Sequence, residues 1–195
     1  MTVDPDANSF GAAVRDLIDK QAILELVPRY CRGIDRMDAD MVRDCFHDDA
    51  TDEHGSFRGT ADEFVAWAFD LLAGYDSTFH FIGNQLVELG PAAKDRTARC
   101  ESYGIAHHRR AGGADHKNLI TGFRYVDDLE RRGLGEPWRI VRRIAVTEWS
   151  RVEPEDSWWS VPDGFTVGAR DRTDPVYGHP NTSFGGNDDG QVQQR

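Results

Sequence analysis

The run STFHFIGNQLVEL holds one histidine, His80, between Phe79 and Phe81 in a stretch with strand alternation. On a strand, His80, Ile82, Asn84 and Leu86 share one face, while Phe79, Phe81, Gly83 and Gln85 share the other. Partial burial between phenylalanines favours the neutral imidazole, the form that accepts a proton near neutral pH. Asp35 stands where an amphipathic helical run ends, against the negative end of the helix dipole. A histidine that becomes cationic during turnover would offset that placement. A solvated acidic turn, IDRMDAD, is the competing reading. Tyr30, five residues earlier, could donate a proton or hydrogen bond to a leaving oxygen. At 3.6 residues per turn it is offset from Asp35 by about 140°, so both reach one cavity only if the helix end bends. In WRIVRRIAVTEW, Arg142 and Arg143 point to opposite faces, and one of them can face inward as an anion stabiliser.

Other clusters carry less. His47, Asp48, Asp49, Asp52, Glu53 and His54 crowd one segment without a fixed metal-ligand spacing, and read as a solvated acidic loop rather than a metal site. His107 and His108 are adjacent on a strand, so at most one of them lines a pocket. Glycine-rich phosphate loops, GxSxG elbows and cysteine nucleophile motifs are absent, which leaves cofactor-free acid–base chemistry as the expectation.

The elements that must position these residues are legible from periodicity. Residues 1–13 read as a loose lead-in. A helical stripe of Leu17, Ile18, Leu24, Val27, Cys31 and Ile34 follows, with Pro28 inside it. Asp38 caps a short second helix reaching to about Phe46, residues 47–59 read as loop plus short strands, and Thr60 caps a third helix. Segments 78–89, 97–110, 117–130 and 137–151 are rich in Phe, Ile, Val, Tyr and Trp, separated by GPAAKD, RRAGGADH and RRGLGEP, and read as an antiparallel meander. Helices followed by strands mean an α+β domain, a curved sheet with three helices across its open side enclosing a pocket. Candidate wall residues are Phe79, Ile82, Asn84, Trp67, His54, Tyr103, His107 and Phe123. Residues 152–195 form an extension whose Trp158, Trp159, Val161 and Phe165 can pack on the domain or on a neighbouring subunit. The last ten residues have the composition of a disordered tail.

The 195 residues carry 34 acidic against 23 basic side chains, a formal charge of −11, which disfavours nucleic acid and anionic membrane surfaces as partners. A small hydrophobic substrate needs no basic pocket. Three widely spaced cysteines suggest buried thiols in a cytoplasmic protein, and neither a secretion signal nor a membrane span is apparent.

LIDKQAILELVPRYCRGIDRMDADMVRDCFHDDA, then HGSFRG, YDSTFHFIGN, ESYGIAHHR, GFRYVDDLERR and PWRIVRR resemble, in order over about residues 14–151, the SnoaL-like branch of the nuclear transport factor two-like superfamily. The pattern is similar to that of the scytalone dehydratase, hexachlorocyclohexane dehydrochlorinase and bile-acid 7α-dehydratase type. The resemblance implies a cone-shaped half-barrel, a homodimer or homotrimer, and a cofactor-independent lyase. It implies catalytic roles for the Asp35–His80 pair, for Tyr30 at the leaving group and for Arg143. An isomerase or cyclase using the same pair, and a plain binding module, are the alternatives the superfamily leaves.

Overall fold

A computed structural model describes residues 5–91, 95–110, 118–154 and 159–178 of the chain. Three helices, α1 (Pro5–Asp35), α2 (Ala39–Arg43) and α3 (Ala61–Leu72), lie with six strands: β1 (Phe46–His54), β2 (Phe57–Thr60), β3 (Ser77–Leu89), β4 (Asp95–Arg109), β5 (Asn118–Arg132) and β6 (Arg139–Glu153). The strands form one sheet in the order β2-β1-β6-β5-β4-β3, antiparallel throughout except where β1 runs parallel to β6. This is the expected α+β half-barrel with three helices. No described helix is long and apolar enough to cross a membrane.

α1 begins at Pro5 rather than near Val14, so residues 5–13 are helical and not a loose lead-in. Its buried apolar stripe starts at Ile23 and continues through Leu26, Val27, Tyr30, Cys31 and Ile34, the three- and four-residue spacing of one helix face. Leu17 and Ile18, expected in that stripe, are 68% and 62% exposed, because at this level the helix turns Asp16 and Asp19 towards the sheet. The helix ends in a Schellman motif: Asp38 N–H donates to the Gly33 carbonyl and Met37 N–H to that of Ile34, with Met37 in the left-handed region at φ 54°. Glycine usually takes that position, and a methionine there costs roughly 1 kcal/mol. The motif fixes Asp35 in the last helical turn. Gly33 is needed for a separate reason, since a Cβ on it would lie 2.6 Å from Val42 Cγ2 of α2.

α2 stops at Arg43, and Asp38 caps it by accepting from Met41 N–H. The segment read as loop plus short strands is the nine-residue strand β1, a turn and the four-residue strand β2. The inward β1 positions Ala50 and Asp52 are fully buried, so Asp52 is a core residue and not a solvated one. Thr60 and Glu63 form a full capping box on α3. In β3 a bulge between Ile82 and Gln85 reverses the alternation, so Thr78, His80 and Ile82 point inward before it and Val87 after it.

The extension attaches through polar contacts. Arg170 donates to the carbonyls of Leu72 and Tyr75, Asp174 pairs with Arg36, and Arg172 pairs with Asp38. Trp159, Val161 and Phe165, read as able to pack on the domain or on a neighbouring subunit, are 93%, 55% and 66% exposed in the single chain. Trp158, the expected disordered tail and most of the turns around 90–95 and 109–116 lie outside the described residues.

Candidate active site

A cavity of about 320 Å³ opens between the helices and the concave face of the sheet. That volume lies at the lower end of the range for small-ligand sites. Its apolar wall comes from Ile34 on α1, Phe64, Trp67 and Leu72 on α3, and Leu119 and Phe123 on β5. Its polar wall comes from His54, His80, His108, Tyr30, Tyr75 and Tyr125, with Thr121 and Thr147.

His80 and Asp35 are in direct contact. The Asp35 carboxylate accepts three hydrogen bonds, from His80 Nδ1 at 2.7 Å, the His80 backbone N–H at 3.0 Å and Thr78 Oγ1 at 2.9 Å. Burial pushes the Asp35 carboxyl up, but these donors and the nearby imidazole outweigh it and hold the group below the usual carboxylate range. An ionised carboxylate only accepts, so the His80 Nδ1 carries the proton. Asp35 does not line the cavity and His80 does, so Nε2 is the ring nitrogen left to face it. Side-chain exposure is 7% for His80 and 11% for Asp35, which keeps bulk water from competing for the pair.

Two neighbours tune the same wall. The His108 ring lies edge-on to His80 at 5.6 Å. Burial, aided by the nearby His80 and His54 imidazoles, lowers its pKa to about 4, so His108 is neutral at physiological pH. Tyr30 lines the cavity with a phenol that burial pushes up and Arg143 pulls back only in part. It stays protonated and can donate. The bent helix end once required for Tyr30 and Asp35 is unnecessary, because Tyr30 faces the cavity while Asp35 reaches His80 from behind it.

Of the two strand arginines, Arg143 points inward and Arg142 is exposed beside Glu53. Arg143 is not an anion stabiliser of the cavity. Its Nε and Nη2 each bond Asp127 at 2.7 Å, and its guanidinium lies 4.1 Å from the centroids of both the Tyr30 and Tyr125 rings. It is fully buried and absent from the wall, and it meets the wall residues Tyr30 and Tyr125 from behind.

The expected wall residues divide by strand parity. Trp67, His54 and Phe123 line the cavity. Phe79, 59% exposed, sits on the outer face with His107 beside it at 6.4 Å, and His108 takes the inner position instead. Tyr103 is on the outer face with Arg124 over its ring, Asn84 is exposed at the bulge, and Ile82 packs into the core without reaching the wall. Gly104 permits this arrangement, because a Cβ there would lie 2.4 Å from the Phe123 ring. Sequence reasoning missed Thr78, Tyr125 and the buried Asp127. Each had a signal: Thr78 shares parity with His80, and Tyr125 and Asp127 share parity with Phe123.

A family model described as the SnoaL-like domain matches residues 15–144. No curated protein matches the chain. Among solved structures, a candidate scytalone dehydratase from Novosphingobium aromaticivorans DSM 12444 is similar at 18% identity and a TM-score of 0.60, over 78% of this chain and 97% of that one. A hexachlorocyclohexane dehydrochlorinase from Novosphingobium barchaimii LL02 matches at 14% identity and 0.62, over 77% and 99%. A protein of unknown function from Mycobacterium tuberculosis matches at 23% and 0.56, over 70% and 75%. These likenesses establish the shared fold.

Proposed function

The chain belongs to the SnoaL-like domain family, and from that premise we propose that it is a cofactor-independent lyase of the dehydratase type. The observation that carries this reading is the 2.7 Å contact that fixes the His80 tautomer and leaves Nε2 facing an apolar cavity. His80 removes an acidic proton from a small hydrophobic, cyclic substrate. Asp35 stabilises the imidazolium that forms, and Tyr30 hydrogen-bonds the oxygen on which charge develops. A base so placed typically contributes about 10²–10⁴-fold, and the dry, shaped cavity supplies the remainder. The two solved dehydratase and dehydrochlorinase structures share this fold, which is consistent with elimination as the reaction.

The outer sheet face exposes Phe79, Phe81, Leu86 and Trp149, and the first half of α1 exposes Phe10, Leu17 and Ile18. Apolar area on that scale supports a homodimer or homotrimer. The free cysteines Cys31, Cys45 and Cys100 are all buried, which fits a reducing, cytoplasmic setting. The experiment is a panel of cyclic β-hydroxy ketones with enone formation followed by absorbance. Wild-type protein is expected to form enone and His80→Ala to lose that activity while remaining folded. Full activity in His80→Ala removes His80 from the chemistry.

A further inference from the structure

His80 is not the cavity's only imidazole with a carboxylate behind it. His54 also lines the cavity, stacked on Phe64 at 5.1 Å, and its Nδ1 lies 3.4 Å from Asp52 Oδ1. Asp52 is fully buried, and among the described residues neither of its oxygens accepts a hydrogen bond. His54 Nδ1, also shielded from solvent, has none either. A buried carboxylate without donors is costly, and a slight turn of the His54 ring would satisfy both groups.

The strands explain the placement. Asp52 and His54 are two residues apart on β1 and so share its inner face. Asp52 stands opposite Arg143 in the β1–β6 pairing, and among the described residues the Arg143 Nη1, left over from the Asp127 pair, has no hydrogen-bond partner. A carboxylate with two oxygens can serve that nitrogen and the imidazole together. His54 also packs on Tyr125 of β5 and Phe64 of α3, pairs across strands with Phe57 of β2, and lies near enough to His108 of β4 to help lower its pKa. Asp127 is committed to Arg143 and Tyr30 is protonated. Asp52 is the carboxylate within reach of the His54 ring.

Resting on the elimination reading above, we propose that His54, oriented by Asp52, is the general acid that protonates the leaving oxygen opposite His80. β1 and β3 are four strand spacings apart, about 19 Å along a flat sheet. Both histidines nevertheless line one cavity of about 320 Å³, so the sheet's curvature sets them across it. A ring held between them presents a C–H bond to one and a C–O bond to the other. The His80 Nε2 takes the proton, the C–H electron pair becomes the new C=C bond, and the C–O bond breaks. The departing oxygen takes the His54 Nε2 proton and leaves as water. His80 ends as imidazolium and His54 as neutral imidazole, and a proton returns from one to the other through solvent. His54 would be a catalytic residue and Asp52 a positioning residue.

The test compares 3-hydroxycyclohexanone with its acetate ester, using full-length wild type, His54→Gln and Asp52→Asn. Hydroxide departs only with a proton, whereas acetate departs without one. The His54 and Asp52 variants are expected to lose about 10²-fold or more on the hydroxy ketone and under about 3-fold on the ester. An equal loss on both probes, or no loss on the hydroxy ketone, overturns the assignment. Imidazole ¹⁵N NMR reads the pair without turnover. Asp52→Asn is expected to lower the His54 titration midpoint by about one pH unit or more and leave His80 unmoved, whereas an unmoved His54 overturns the pairing. If Asp52→Asn does not fold, the His54→Gln comparison decides alone. Absence of turnover of either probe by wild type contradicts the elimination reading itself, and the titration then decides on the pair.

Discussion

Helix α1 buries a carboxylate near its middle and another at its end, and the two are used differently. Asp19, 3% exposed, accepts from the Nη1 groups of Arg96 and Arg131 and from Trp138 Nε1 at 2.9 Å. Those donors belong to β4, β5 and the entry to β6, so one carboxylate ties the helix to three parts of the sheet. Every partner is a fixed donor, none lines the cavity, and nothing is left to react. Asp35 is almost as buried and accepts as many bonds, but its main partner is an imidazole with a second nitrogen facing a cavity. Burial of charge therefore does not mark a site. What marks it is the capacity left on the partner.

Substitutions at the two carboxylates should separate these roles. The largest expected effect is on turnover in Asp35→Asn. An amide at Asp35 presents a donor or a neutral oxygen to Nδ1, so the His80 tautomer that exposes a bare Nε2 is no longer enforced. Turnover per folded molecule should fall by about 10²–10⁴-fold, with only a modest shift in melting temperature. Asp19→Ala should do the reverse, leaving Arg96 and Arg131 without their shared carboxylate at a cost of about 3–5 kcal/mol. Denaturant unfolding reads that loss, and turnover of the folded fraction should be unchanged.

A smaller effect concerns pH. His108 has a folded pKa of about 4 against an ordinary 6.5, so between those values the unfolded chain binds more protons than the fold. Stability should fall as pH drops from 6.5 towards 4, by about 3 kcal/mol at most, and His108→Gln should remove that slope. Asp35 acts lower. Its carboxyl is depressed in the fold, so its contribution is present above the unfolded carboxylate range and is lost only as pH falls through the folded value. The smallest effect belongs to the outer face, where Asn84→Ala and Tyr103→Phe should leave turnover within about 2-fold. A larger loss there would mean the outward strand positions act on the cavity.

The helices and the meander were legible because each has a local signature, whereas the pairing of Asp35 with His80 was left open by the residues and implied only by the family resemblance. Helical and strand periods are short, and a carboxylate at a helix end is visible as a residue type in a position. Strand parity was legible only up to Ile82, because the bulge that follows leaves no mark in GNQL that fixes its register. Phe79 and His107 were misplaced for a related reason: flanking aromatics suggested burial, but the sheet's outer face is itself aromatic. The partnership of Arg143 with Asp127 joins positions that are opposite in the β5–β6 register, so reading it required the pairing and not the residues alone. Asp52 was hidden by its company, since Asp48, Asp49 and Glu53 around it do face outward. The attachment of Arg170 to the end of α3 and of Asp174 to the end of α1 involves no periodic segment, and no local pattern announces it.

The claim that His80 takes a proton from carbon can be measured without knowing the leaving group. Cyclic ketones incubated with the protein in D₂O should acquire deuterium at the carbon next to the carbonyl, followed by ¹H NMR. Wild-type protein is expected to accelerate that exchange and His80→Ala to return it to the buffer rate. Exchange by His80→Ala at the wild-type rate would contradict it.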